Sequence, residues 1–107
     1  MNEENEPILI GEAGDIEPNS VEHFEYEETD YAIYNLESGF YSTQGTCTCE
    51  DHALLSEGTI DNEEIECPSC GKTFNIITGD AISDPEATSL KIYDITLENK
   101  KLFLNLN

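Results

Sequence analysis

The stretch TCTCEDHALLSEGTIDNEEIECPSCG, residues 46–71, carries all four cysteines of the chain. They form a C-x-C pair, Cys47 and Cys49, and a C-x-x-C-G group that contains Cys67 and Cys70. Two short cysteine pairs separated by a hairpin-length insert can bring four thiolates from two loop tips to one soft metal centre. The sequence therefore predicts a metal site at these four cysteines, with the rest of the chain as its scaffold.

Short β-rich runs bounded by turn residues flank this stretch on both sides. The segment YAIYNLESGFYST predicts a hairpin with a turn at Ser38 and Gly39, which leads directly to the first cysteine pair. A second hairpin would join the two cysteine pairs. The remaining predicted strands and loops are residues 8–10, residues 21–26, a strand around Phe74 followed by a Gly79-Asp80 turn and a loop ending at Pro85, and a closing hairpin of residues 90–97 and 101–106.

No segment shows a sustained helical period, and turn signals recur about every ten residues. This pattern is typical of an all-β antiparallel sandwich or partly open barrel. At 107 residues the chain is expected to be a single domain, residues 1–107. Within it, the two cysteine loops would form a small cluster-binding subdomain at about residues 44–86.

The charge of the chain is strongly negative, with 24 acidic residues, four lysines and a formal net charge of -20. Such a surface excludes nucleic acid as a favourable partner. It would steer the protein towards partners with basic docking surfaces. Solubility or adaptation to high salt explains the same composition, and the charge alone does not separate these interpretations.

The compartment is expected to be the cytoplasm. The chain begins MNEENEPILI, with acids where a secretory signal has bases, and it contains no apolar run long enough for a membrane span. A reducing cytosol favours metal or redox chemistry at cysteines over structural disulfides. Two structural disulfides in an exported domain are the alternative.

Four thiolates select either zinc or an iron-sulfur cluster. Zinc would take one tetrahedral shell of four thiolates, whereas a [2Fe-2S] cluster would take two cysteines on each iron. A further zinc arrangement would use Cys49, His52, Cys67 and Cys70 and leave Cys47 free. The spacing alone leaves these alternatives open.

Over residues 21–106 the chain resembles the Rieske-type ferredoxins of bacterial ring-hydroxylating oxygenases. The features that carry the resemblance are the tyrosine-rich hairpin before the first cysteine, the acidic turn after it, E-C-P before the second pair, and G-x-x-F followed by T-G-D-A and a proline loop. The resemblance implies a Rieske-like β fold and a small one-electron carrier without catalytic activity. It also implies that electrons arrive from a reductase and pass to an oxygenase.

The chain departs from that family at the site itself. The family pattern is C-x-H and C-x-x-H, and this sequence has Cys49 and Cys70 at the two histidine positions. By the resemblance, Cys47 and Cys67 would bind the inner iron, and Cys49 and Cys70 would replace the imidazoles on the outer iron.

Four thiolates give the cluster a more negative formal charge than two thiolates with two neutral imidazoles. Rieske centres have reduction potentials of about -150 to +300 mV and plant-type clusters of about -400 mV, so we expect a potential towards the low end, lower than that of a two-histidine Rieske centre. We also expect a monomer that interacts with no membrane. A structural four-cysteine zinc module and a cluster-free Rieske-fold subunit of a reductase are the alternative functions.

Overall fold

Antiparallel strands account for most of the regular structure in the computed structural model of the chain, which describes residues 7–49, 52–84 and 86–105. Two single turns of 3-10 helix, Ala13–Asp15 and Leu55–Glu57, complete it, and the described residues contain no α-helix. The strands are β1 (Ile8–Glu12), β2 (Ser20–Tyr26), β3 (Thr29–Leu36), β4 (Gly39–Gln44), β5 (Thr59–Asp61), β6 (Glu64–Glu66), β7 (Thr73–Asn75), β8 (Ile92–Glu98) and β9 (Lys101–Asn105).

Six of these strands form one sheet in the order β1-β9-β8-β4-β3-β2. The sheet is curled so that its two edge strands, β1 and β2, face each other. Residues of both strands line one cleft of about 150 Å³. Closing a twisted sheet in this way leaves little exposed edge for aggregation. The architecture confirms the predicted all-β class, and of the two predicted forms, a sandwich or a partly open barrel, it is a nearly closed antiparallel barrel.

A smaller sheet, in the order β5-β6-β7, carries the segment between and after the cysteine pairs. The β5-β6 hairpin is the insert that the sequence predicted, with Ile60 opposite Ile65. Strand β6 ends at Glu66, immediately before Cys67, and β7 begins at Thr73, just after the second cysteine loop. Both ends of that loop are consequently held by neighbouring strands of one sheet.

Strand β3 separates two apolar cores because its side chains alternate between the faces of the sheet. Ile33 packs with Leu102 and Leu104 inside the barrel. Tyr34 faces the other way, towards the smaller sheet. The second core consists of Ala32, Tyr34, Leu36, Cys47, Leu55, Ile65, Cys67, Phe74, Ile76 and Leu90. Two of the four cysteines are thus part of the apolar core that joins barrel and small sheet.

The hairpin before the first cysteine pair is confirmed, with longer strands than the sequence predicted. Its loop residues are Glu37 and Ser38, and Gly39, which pairs with Leu36, is the first residue of β4. A second hairpin, β2-β3, was missed. Its loop residues Glu27 and Glu28 have φ of 52° and 69°. Glycine and asparagine normally fill such left-handed positions, so two glutamates gave no turn signal.

The predicted end of the loop at Pro85 and the predicted end of the last strand at Leu106 lie outside the described residues.

The closing hairpin is confirmed as β8-β9, with Glu98 opposite Lys101. In the described part of the chain, no helix has the length and apolar character needed to cross a membrane.

Candidate metal centre

The first cysteine loop begins where β4 ends and closes on itself through its backbone. The N–H of Cys47 donates to the carbonyl of Ala53 (2.8 Å), and the N–H of Leu55 donates to the carbonyl of Gly45 (2.8 Å). The Leu55 side chain is fully buried beneath the loop. Cys47 is buried with it, whereas Cys49, two residues on, is half-buried. The C-x-C spacing therefore directs one thiol into the core and leaves the other nearer the surface.

The second cysteine loop is a tight turn between β6 and β7. The N–H of Cys67 donates to the carbonyl of Lys72 (2.9 Å), and the N–H of Gly71 donates back to the carbonyl of Cys67 (3.1 Å). Gly71 has φ of 78°, a left-handed conformation that glycine adopts without steric cost. This turn buries Cys67 and exposes Cys70.

The four thiols converge although their loops are far apart in sequence. All four Sγ atoms lie within 4.8 Å of one another. The Sγ atoms of Cys47 and Cys70 are 3.6 Å apart, and those of Cys49 and Cys67 are 3.9 Å apart. His52 does not belong to this cluster of ligand atoms. The arrangement thus contains the four predicted cysteines and not the predicted alternative with His52.

The two loops divide the thiols by depth. Cys47 and Cys67 have relative exposures of 0% and 1%, whereas Cys49 is half-buried and Cys70 is exposed. This division matches the inner and outer positions that the sequence resemblance implies. The two short contacts, Cys47–Cys70 and Cys49–Cys67, each join one inner thiol to one outer thiol. Distance alone therefore does not reproduce the implied pairing, in which the two inner cysteines bind one iron and the two outer cysteines bind the other.

Backbone N–H groups point at the sulfur atoms. The N–H groups of Ser69 and Cys70 lie 3.4 Å and 3.5 Å from the Sγ of Cys67. Such hydrogen bonds stabilise a thiolate and tune the electronic properties of a bound metal or cluster. The C-P-x-C-G turn therefore supplies a candidate ligand, Cys67, together with backbone donors that would stabilise its negative charge.

Burial acts in the opposite direction on the free thiols. It raises the pKa of Cys47 well above the usual value, and a backbone hydrogen bond from Cys49 opposes the shift only in part. Local desolvation, together with the side chain of Cys67, also raises the pKa of Cys70, although this thiol is exposed. Metal binding must therefore displace protons from these groups, and the affinity for a metal is expected to increase with pH.

Sequence reasoning missed residues that connect the first cysteine loop to distant backbone or that line the surface beside the thiols. Gln44 and Thr48 make hydrogen bonds across 47 and 40 positions of sequence. Glu57 and Glu66 line a groove of about 340 Å³ beside the exposed Cys70. No local pattern marks Gln44 and Thr48, because their partners come from distant parts of the chain.

The family model for the Rieske [2Fe-2S] domain matches residues 6–94. The chain belongs to the Rieske family. This membership implies a [2Fe-2S] cluster as cofactor, and the four thiols on the two loops are the type of donor that such a cluster takes.

Known Rieske relatives agree in sequence and in structure. The chain is 32% identical over 98 residues to ferredoxin CarAc of Metapseudomonas resinovorans, covering 91% of each chain. It is 32% identical over 81 residues to the ferredoxin component of the naphthalene 1,2-dioxygenase system of Pseudomonas putida, covering 76% of this chain and 77% of that one. A solved complex of reduced oxygenase and oxidized ferredoxin in carbazole 1,9a-dioxygenase contains a similar chain, with a TM-score of 0.85, 30% identity and 92% of each chain covered.

Ferredoxin components of dioxygenase systems transfer electrons and catalyse no reaction of their own. The present Rieske chain is accordingly a Rieske-type ferredoxin, an electron carrier and not an enzyme.

Proposed function

We propose that this protein is a one-electron carrier whose [2Fe-2S] cluster is bound by Cys47, Cys49, Cys67 and Cys70. The observation that supports the proposal is the convergence of these four Sγ atoms within 4.8 Å on the two loops of a Rieske domain. When bound, the cluster supplies a centre that accepts and releases one electron. No other group of three or more metal-ligating side chains comes together in the described part of the chain.

The protein's own residues give the site an inner and an outer side. Cys47 and Cys67 would hold the cluster from the apolar core, which excludes water from that side. Cys49 and Cys70 would hold it from the surface side, where a partner can approach. Since four thiolates add negative charge relative to two imidazoles, the potential would lie below that of a two-histidine Rieske centre.

The partners would be a reductase that supplies the electron and an oxygenase or another redox protein that accepts it. Support comes from the carbazole 1,9a-dioxygenase complex, in which a ferredoxin of 30% identity is seen together with its oxygenase. The net charge of -20 suits partners with basic docking surfaces. A monomer would serve such transient encounters.

We also propose that residues 1–107 form one domain, with residues 44–86 as its cluster-binding part, and that the protein acts in the cytoplasm. Four thiols that converge as one potential ligand set suit a reducing compartment, where metal or redox chemistry at cysteines is favoured over structural disulfides.

A structural zinc site is the second candidate, and the compactness of the thiol cluster favours it. A tetrahedral shell with Zn–S bonds of about 2.3 Å has S–S separations of about 3.8 Å. The two short thiol contacts, 3.6 Å and 3.9 Å, lie on either side of that value. Family membership favours the iron-sulfur cluster, so we keep it as the leading proposal.

Metal analysis of anaerobically purified protein separates the candidates. Expression with both iron and zinc supplied should give a red-brown protein with two irons and two sulfides per chain. A colourless protein with one zinc per chain would contradict the proposal, and a protein without metal would favour the cluster-free subunit of a reductase. A His52→Ala variant is the matched control and should bind the same metal in the same amount, because His52 lies outside the thiol cluster.

The expectation of basic partners has its own test. Electron transfer from the reduced protein to cytochrome c, a basic one-electron acceptor, should slow steeply as ionic strength rises, since salt screens the steering attraction. A rate that does not change with salt would contradict electrostatic steering without affecting the assignment of the ligands.

A further inference from the structure

The third loop, residues 76–91 between β7 and β8, is hydrogen-bonded to the first cysteine loop and to β7, the strand that follows the second cysteine loop. All of it except residue 85 is described. On one side it is fastened to β7, directly after the second cysteine loop. The N–H of Ile82 donates to the carbonyl of Thr73 (2.8 Å), and the N–H of Thr73 donates to the Oγ of Ser83 (3.0 Å). The third loop is therefore attached at residues 82 and 83 to β7, the strand that follows Cys70 and Gly71.

On its other side the third loop is fastened to the first cysteine loop. The residue between the two cysteines, Thr48, donates its hydroxyl to the carbonyl of Thr88 (2.9 Å). This bond joins a side chain in the C-x-C pair to backbone forty positions away. The hydroxyl of Thr48 is thus a direct connection between the third loop and the segment that carries Cys47 and Cys49.

Gln44 makes the same connection at the base of the first cysteine loop. Its backbone N–H donates to the carbonyl of Lys91 (2.8 Å), and its Oε1 accepts the N–H of Lys91 (2.9 Å). Its Nε2 donates to the carbonyl of Thr46 (2.8 Å), the residue before Cys47. One side chain thereby bonds the end of the third loop and the start of the first cysteine loop.

A chain of hydroxyl groups extends this arrangement into the core. Thr43 donates its hydroxyl to the carbonyl of Gln44 (2.8 Å), so its oxygen accepts the hydroxyl of the buried Tyr34 (2.8 Å). Gln44, which bonds the third loop and the first cysteine loop, is consequently connected through Thr43 to Tyr34 in the core.

We propose that Thr48 and Gln44 are positioning residues, which hold the third loop as a brace between the two cysteine loops and so set the separation of their thiols. The brace joins Thr73 after the second pair to Thr48 within the first pair. Each cysteine loop closes locally on itself, through the bonds Cys47 to Ala53 and Cys67 to Lys72. The separation between the loops is set by the brace. The inference rests on the proposed function in that it concerns the same four thiols.

The test compares Thr48→Val, which keeps the shape of the side chain but loses the hydroxyl, with Thr48→Ser, which retains the hydroxyl. Loss of one such bond should make release of the bound metal to a chelator about three- to tenfold faster in Thr48→Val. Thr48→Ser should restore the parent rate. The matched control is Thr96→Val, which removes a hydroxyl bonded to Asn105 (2.9 Å) in the six-stranded sheet, away from the cysteines, and it should leave the rate unchanged.

A second readout uses the metal-free protein. The rate at which iodoacetamide modifies the half-buried Cys49, followed by peptide mass spectrometry, should rise in Thr48→Val and return to the parent value in Thr48→Ser. This readout holds whether the native metal is iron, zinc or neither, so a failure of the proposed cofactor does not affect it. Equal rates in parent and Thr48→Val, or an equal effect of Thr96→Val, would overturn the inference.

Discussion

The Sγ atom of Cys47 lies 3.6 Å from the Sγ atom of Cys70, although one thiol is in the apolar core and the other is at the surface. The pair spans the depth of the metal centre. Because one member contributes to folding and the other does not, the two cysteines should respond differently to the same substitution.

Replacing Cys47 with serine should destabilise the metal-free protein, whereas replacing Cys70 should not. The change Cys47→Ser places a hydroxyl in a fully buried site, which costs about 1–3 kcal/mol when the group has no partner. Cys70→Ser should unfold in urea at nearly the parent midpoint while losing metal faster than the parent. Equal destabilisation by the two variants would show that the division of the thiols by depth is wrong.

Histidine at the two outer positions should convert the centre to Rieske-type ligation. The double variant Cys49→His, Cys70→His should have a higher potential than the parent, in the direction of the range of about -150 to +300 mV. Its potential should also fall as pH rises, because an imidazole that loses its proton stabilises the oxidised state. Protein-film voltammetry across pH measures both effects.

The matched control places histidine at the inner positions, Cys47→His with Cys67→His. Both sites are fully buried in a packed core, so an imidazole should not be accommodated and no cluster should assemble. A pH-dependent potential in the parent protein would contradict all-cysteine ligation.

A methyl group at Gly58 should disturb the second cysteine loop. A Cβ atom there would overlap with the carbonyl oxygen of Glu66, the residue before Cys67. We expect Gly58→Ala to lower the free energy of unfolding by about 1–3 kcal/mol and to reduce the bound metal per chain. The control Gly14→Ala has open space around the added carbon and should leave both quantities within experimental error of the parent. Full metal content in Gly58→Ala would contradict the prediction.

Ser42 should be a site at which alanine stabilises the protein. Its Oγ is buried and has no hydrogen-bond partner in the described part of the chain. Removing it avoids a desolvation cost of about 1–3 kcal/mol, so Ser42→Ala should raise the urea midpoint. The neighbouring change Thr43→Ala removes a hydroxyl that bonds Tyr34 and Gln44, and it should lower the midpoint. A lower midpoint in Ser42→Ala would mean that its hydroxyl is satisfied in solution.

Stability should fall at alkaline pH because of Tyr34. Burial raises the pKa of its phenol above the ordinary value of about 10, so the neutral form is favoured in the folded protein. The stabilising effect is complete below about pH 10 and is lost as pH rises towards the folded pKa, since only the unfolded chain releases the proton. Urea unfolding of metal-free protein should show this decline, and Tyr34→Phe should make it shallower. An unchanged slope in Tyr34→Phe would contradict the assignment.

The sequence alone determined the identity of the four thiols and the all-β class. Alternation of apolar residues marks β3 and β4, and the pairs C-x-C and C-x-x-C-G mark a metal site, because both signals depend on neighbours in sequence. The acidic hairpin loop at Glu27 and Glu28 was missed for the same reason, as its conformation is imposed by pairing of β2 with β3 rather than by turn residues.

The tertiary structure decided how deeply each thiol of residues 46–71 is buried and which distant residues bond to this stretch. Burial placed Cys47 in the core and left Cys70 at the surface, and the fold left His52 outside the group of converging ligand atoms. The bond from Thr48 to Thr88 crosses forty positions and has no local signature. Hydrogen bonds and burial of this kind depend on how the sheets pack, so a pattern of neighbouring residues does not contain them.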